Sequence, residues 1–266
     1  MQWQAKKQVL VAFAFTALVG CGDDDAGSGM THEDMFPSDM QAPVDMNATD
    51  RPPRDVPCQD ESIGALNLLE TVATGAITEQ APAPDFEHLV DARAGGFMPS
   101  ESYLYARFTD AGLVKVDFDD ESALESTEWD ISFRRFVIRL NSGVAGPSYV
   151  VAARTAGGST FDEVASVPEG LTFREEAYMS ASCEFVSDGS GIGAPATALS
   201  SFWTYPGCVA MTGNVFVVQL ATGRHVKLEV LGYYSPEAQA QCDETGSITT
   251  AERGSGNLRL RWAFLD

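Results

Sequence analysis

The stretch Trp129 to Gly146, WDISFRRFVIRLNSGVAG, leaves fewer folding options than any other part of this sequence. It opens by alternating: Trp129, Ile131 and Phe133 fall on one side, Asp130, Ser132 and Arg134 on the other. That is the period of a half-buried β-strand. The phase then slips by one, and Phe136, Ile138 and Leu140 carry the apolar series at even positions, with Val137 and Arg139 opposite. A one-residue slip predicts a bulge at Arg134-Arg135, or a strand that leaves one sheet for another. Asn141-Ser142-Gly143 ends the run with side chains suited to turns.

The length, 266 residues, suits one large domain or two small ones. The first twenty read as a signal peptide, with Lys6 and Lys7 before an apolar run, Val9 to Val19, too short to span a bilayer. Leu18-Val19-Gly20-Cys21 has the form of a bacterial lipobox, in which the cysteine is acylated and becomes the mature N-terminus. Removing residues 1–20 takes away two lysines and no acids, leaving 15 basic and 38 acidic residues, a formal charge of −23. Such a charge argues against nucleic acid as a partner, because that surface must be basic. Residues 21–57 read as a tether, rich in acids, Pro and Met and short of large apolar side chains. Its methionines, Met30, Met35, Met40 and Met46, lie near His32 and raise the idea of a soft-metal site for Cu(I), but a stalk that happens to be Met-rich explains them better.

The folded domain is expected over residues 58–266. Residues 61–73 fit a helix with Ile63, Leu66, Leu69 and Val72 on one face, though a strand is not excluded. Residues 74–100 give no period. Ser102–Phe108 and Leu113–Phe118 form a hairpin pattern, as do Val215–Leu220 and the returning Val226, Leu228 and Val230. Tyr149–Ala153 is β-like, Thr172–Tyr178 suggests a short helix, and 187–201 a Gly/Ser-rich loop. The final strand, Leu258–Phe264, alternates Leu258, Leu260, Trp262 and Phe264 against Arg259 and Arg261. Strands dominate, so the expected class is mainly β: a single antiparallel domain with minor helix. Four cysteines remain in it, Cys58, Cys183, Cys208 and Cys242, and an even count in an exported chain predicts two disulfides. The pairing Cys183–Cys208 with Cys58–Cys242 is favoured here, the first stapling the Gly/Ser-rich insertion.

Catalytic motifs are absent from the sequence: there is no HExxH, P-loop or GxSxG. His88 and His225 are the only histidines of the folded part, which gives a Ser–His–Asp triad few ways to form. No Cys spacing matches a zinc site. Asp130 is the acid placed to be inward, and a structural partner for Arg134 or for amides near Asn141 explains it better than a general base. Nothing in the sequence argues for an enzyme.

Trp129-Asp130-Ile131, then Phe133, Arg134, Ile138 and Asn141-Ser142-Gly143, resemble the signature of the HmuY-like family of bacterial haem-binding lipoproteins. Gly146 fits a glycine of the turn that follows, while Pro147 departs from it. Val215–Gln219, Thr222-Gly223-Arg224 and Val226-Lys227-Leu228 resemble the family's later hairpin. Tyr233-Tyr234 and the last strand through Arg261-Trp262 fit what comes after. The resemblance implies a largely β fold and a lipid anchor at Cys21 holding the protein to the outer membrane, facing the cell surface or the periplasm. It also implies capture of haem, free or from haem-carrying proteins, through two axial side chains, with transfer to an outer-membrane TonB-dependent receptor. Trp129, Asp130, Arg134, Asn141, Ser142 and Gly143 are expected to be framework rather than ligands. Haem iron takes imidazole or thioether ligands, and the folded part offers His88, His225, Met98, Met179 and Met211. Met179, Met211 and His225 are the preferred candidates, the two methionines because a Cys183–Cys208 bond would bring them near each other and Trp203 and Tyr205 would wall a porphyrin. No metal other than haem iron is expected. A structural surface lipoprotein on the same scaffold without haem is the competing reading, favoured by the scarcity of His and the acidic surface. A copper buffer built on the tether methionines is a third.

Overall fold

Two antiparallel sheets face each other because the alternating runs each have one apolar side to bury. The computed structural model describes residues 51–96, 98–249 and 254–265. In chain order come α1 (Gln59–Leu66), β1 (Ile77–Ala81), β2 (Phe86–Asp91), β3 (Leu104–Thr109), β4 (Gly112–Val116), α2 (Asp120–Leu124), β5 (Ile131–Arg134), β6 (Val137–Leu140) and β7 (Val151–Arg154). Then follow β8 (Trp203–Thr204), β9 (Ala210–Met211), β10 (Val215–Gln219), β11 (His225–Gly232), α3 (Pro236–Thr245) and β12 (Asn257–Leu265). The larger sheet has the order β1-β2-β12-β11-β10-β7, the smaller β4-β3-β5-β6, and β8-β9 is a separate short hairpin. The protein is thus mainly β with short helices, as expected. Among the described residues no helix is long and apolar enough to cross a membrane. Cys21, residues 1–20 and the tether methionines lie outside the described residues.

The phase slip is neither a bulge nor a change of sheet. Ile131 pairs with Leu140 and Phe133 with Ile138, and Arg135-Phe136 is the tip of a tight hairpin. Cross-strand partners share a face, and a two-residue loop joins odd positions to even ones, so parity must flip at the tip. Arg135 takes the positive φ, 53°, that such a turn asks for. Ile131, Phe133, Ile138 and Leu140 all enter the core between the sheets, with Leu258, Leu260 and Trp262 of β12. Trp129 does not join Ile131 and Phe133. It packs with Tyr103, Tyr105, Tyr178 and Met179 in a second apolar cluster, on the outer side of the small sheet. A third cluster, with Phe161 and Val164, covers Val215, Val217 and Ala263 on the other face of the large sheet.

Four further expectations are corrected. Residues 74–100 hold the hairpin β1–β2, hidden because His88 occupies an inward position of β2 beside Phe86 and Val90. Thr172–Tyr178 is not helical, and Arg174 bridges Ala152 beside β7. The helix near 61–73 stops at Leu66, where Asn67 takes a left-handed conformation, so Leu69 and Val72 leave its face. The disulfides are Cys58–Cys183 and Cys208–Cys242, not Cys183–Cys208 and Cys58–Cys242. The reason is the docking of β8–β9 on α3: Gln239 Nε2 donates to Val209 O, and Cys242, one turn further along α3, meets Cys208. The fold also begins before Cys58. Arg54 donates to Ser148 O and pairs with Glu175 at 2.6 Å, and its guanidinium lies 4.5 Å from the centre of the Tyr149 ring.

The outer side of the small sheet carries charge where the alternation predicts solvent. Asp120 is fully buried at the start of α2. Its Oδ1 accepts from Tyr103 N (2.8 Å) and Tyr105 Oη (2.7 Å), and its Oδ2 from Leu69 N (2.9 Å) and Arg134 Nη1 (3.4 Å). Arg139 donates to Tyr105 Oη at 2.7 Å and stacks on Tyr103, 3.7 Å from the ring centre. Arg134 also donates to Asn67 O and to Leu66 O, the last carbonyls of α1, where a cation offsets the helix dipole. Glu176 is buried too, with Oε1 accepting from Leu140 N and Oε2 from Ala198 N. Burial pushes its carboxyl up to about 8, against the pull of those two amides and Arg139.

Removing one partner of a buried charge pair strands the other. Asp120→Ala should therefore lower unfolding free energy by about 3–5 kcal/mol, measured by urea denaturation. Glu176 makes a pH-dependent contribution. Its carboxyl is raised from 4.5 to about 8, so the folded state binds the extra proton between those values. The stability this contributes is full below 4.5 and is lost as pH rises through 8. Glu176→Gln should remove that loss, so the variant's midpoint relative to the native protein should climb across this window. A difference independent of pH would refute the assignment.

Candidate functional site

The residues at the tip of the β5–β6 hairpin are drawn to three different neighbours, and the opening between those neighbours is the candidate site. Phe136 turns toward Trp203 and Tyr233, with ring centres 5.1 and 6.0 Å away. Arg135 N donates to Ala92 O and its guanidinium to Gly96 O at 3.2 Å. Arg134 bends back to cap α1, as described. A crevice of about 310 Å³ opens there, lined by Ala65 and Leu66 of α1, Tyr103, the hairpin tip Arg134–Val137, Pro99, and a strap supplying Phe185 and Ile192–Pro195.

Its walls include the apolar side chains of Leu66, Phe136, Val137, Phe185 and Ile192. Phe185 and Ile192 are each 40% exposed. Two guanidinium groups border them, that of Arg134 paired with Asp120 and that of Arg135 above Gly96. No His, Met or Cys lines the crevice itself, but Met98 stands one residue before Pro99 and is 82% exposed. Met179 lies behind the strap. It is only 5% exposed and forms an antiparallel bridge with Phe185, so the two side chains project from the same side.

The three preferred ligand candidates are not brought together. Met179 belongs to the outer cluster of the small sheet, whereas Met211, in β9, packs on the core between the sheets and donates its N–H to Asp243. The Cys183–Cys208 bond that was to join them does not exist. His225 starts β11, opposite Gln219 and Leu265, with its ring 6.0 Å from Phe173, and burial lowers its pKa. His88 is a core residue: Leu113 N and Trp262 Nε1 both approach its ring nitrogens at 3.2 Å, and burial lowers its pKa as well.

The signature residues make the following contacts. Trp129 Nε1 donates to Ala123 O. Asn141 donates to Ser126 O and Trp129 O and accepts from Ser148 N, which fixes the turn after β6. Ser142 Oγ accepts from Glu176 N, and a Cβ on Gly143 would lie 2.2 Å from Glu176 O. Asp130 has a partner other than those foreseen: its carboxylate accepts from Phe108 N at 3.0 Å, and it is the backbone O that takes Asn141 N. Burial raises the Asp130 carboxyl to about 6. Sequence reasoning missed Asp120, which sits in a run of acids (Asp117, Asp119, Asp120, Glu121) where nothing distinguishes the buried member.

Other openings exist among the described residues. A larger one, about 1,080 Å³, lies beside β7 and is walled by residues within 168–177 and 196–201, with Arg154, Arg174, Glu169 and Glu175 on it. One of about 540 Å³ adjoins Cys58 and Cys183, and one of about 230 Å³ adjoins Thr74 and Arg93. None contains His or Met.

The chain is similar to several solved structures. One is described as a HmuY-like heme binding protein from Bacteroides vulgatus, 16% identical over 70% of this chain and 95% of that one, with a TM-score of 0.43. A lipoprotein from Bacteroides fragilis is 15% identical over 70% and 91%, with a TM-score of 0.39. The apo HmuY analog of Tannerella forsythia is 14% identical over 73% and 98%, with a TM-score of 0.38. No curated protein matches. The model of the family described as "HmuY protein" matches residues 100–249, which include the signature strand, the strap and the late hairpin. That is more than half of the sequence, and the chain belongs to the HmuY family.

Proposed function

We propose that this protein binds haem in the crevice at the β5–β6 tip and carries it as a lipid-anchored protein of the outer membrane. The observation that carries the reading is a crevice with exposed apolar walls, Phe185 and Ile192, whose lining includes Pro99, next in the chain to the exposed Met98. The donor set fits the group: apolar side chains for the macrocycle, guanidinium for an anionic propionate, and sulfur for iron. Met98 and Met179 would be the residues to supply thioether sulfur to the iron. Met211 and His225 lie elsewhere and take no part. Membership of the HmuY family supports the reading. Cys21 is the acylated residue, and an outer-membrane TonB-dependent receptor is the recipient of the haem.

The chain's formal charge of −21 favours a second reading, in which the scaffold serves a surface structure and repels haem propionates. Haemin titration separates the two. Micromolar haemin should produce an intensified, red-shifted Soret band. Met98→Ala should weaken binding roughly tenfold or more, while Met211→Ala and His225→Ala should leave it unchanged. An unaltered haemin spectrum would refute haem binding. Anchoring is tested apart from it: cells fed labelled palmitate should label the protein, and Cys21→Ala should abolish that label.

A further inference from the structure

The two disulfides sit in opposite environments. Cys208 and Cys242 are buried, 3% and 0% exposed, and that bond is out of reach of any reductant. Cys58 and Cys183 are both partly exposed and both line the open cavity of about 540 Å³. Cys58 is the N-cap residue of α1, and Cys183 stands two residues before Phe185 in the strap. Both have left-handed backbones, φ 57° and 60°, which residues with a Cβ adopt at a cost. α1 supplies Ala65 and Leu66 to one wall of the crevice, and the strap supplies Phe185 and Ile192 to the other. The accessible bond therefore joins the two elements whose separation sets the width of the crevice.

We propose that Cys58–Cys183 is a redox latch: two-electron reduction by a dithiol frees the strap from α1, opens the crevice and lowers affinity for what it holds. The loosening stands on geometry alone, while the loss of haem rests on the haem-binding reading. The reductant's thiolate attacks Cys183 Sγ, the S–S bond breaks, and its electron pair leaves on Cys58 Sγ. The reductant's second thiol then attacks its own sulfur of the mixed disulfide. Cys183 is released, the reductant departs as a disulfide, and the protein has gained two electrons and two protons. Glu61 guards the bond. A carboxylate oxygen of Glu61 and the two sulfurs all lie within 4.8 Å of one another, so its charge opposes both the approaching and the departing thiolate.

The test treats the purified full chain with dithiothreitol under native conditions, then alkylates free thiols and maps them by mass spectrometry. Hydrogen exchange and haemin titration are run before and after. Cys58 and Cys183 should be modified while Cys208 and Cys242 stay bonded. Exchange in residues 184–195 should rise at least tenfold with β3 and β5 unchanged, and haemin should bind about tenfold more weakly. Glu61→Gln should speed reduction about fivefold. The latch is overturned if both disulfides reduce at one rate, if the strap stays protected once Cys58 and Cys183 are free, or if protection falls equally in β3 and β5. If the strap loosens but the oxidised protein never takes haemin, the latch stands and the haem reading falls.

Discussion

Asp120 takes hydrogen bonds from two loop amides, a phenol and a guanidinium, in a place that water does not reach. Burying that carboxylate is costly unless every donor arrives together, and this couples parts of the chain far apart in sequence. Leu69 fixes the loop after α1, Tyr103 and Tyr105 fix β3, and Arg134 fixes the end of β5. Arg134 in turn holds the last carbonyls of α1. The back of the crevice is therefore set by electrostatics, while its front is apolar. An ion network of this kind is weak evidence for stability but fixes one arrangement over others.

The strands were legible wherever one face met the core and the other met solvent. β12 follows its alternation, whereas Val215–Val218 of β10 are buried on both faces and Val114 of β4 is exposed. The outer side of the small sheet was misread, because Ser132, Arg134 and Arg139 look like solvent residues and are instead buried under α1, α2 and the segment around Tyr178. A pattern of apolar and polar residues cannot show a second buried layer whose lining is polar. The β5–β6 turn was misread for another reason: Arg135-Phe136 lacks the Asn or Gly that marks such turns, so parity alone signalled it.

The crevice was the least legible part. Its walls come from residues 65–66, 99–103, 134–137 and 185–195, none of which forms a motif alone. Choosing ligands by residue type depends on the disulfide pairing, and Cys183 bonded to Cys58 leaves Met211 apart from Met179. Met98 was in the inventory of possible ligands but had no neighbour in the sequence to recommend it. Trp129, Asn141 and Gly143 lie within one continuous stretch, where the indole N–H, the amide and the missing Cβ each meet a backbone group.

Arg54 and Tyr149 have a mechanical meaning. Where the chain enters the domain, the Arg54 guanidinium stacks on Tyr149 and pairs with Glu175, and Tyr149 Oη donates to Pro52 O. A pull on the chain upstream of Arg51 therefore loads this clamp before it loads Cys58 or α1. The clamp would act as a strain relief, taking load at the rim of the domain ahead of the crevice.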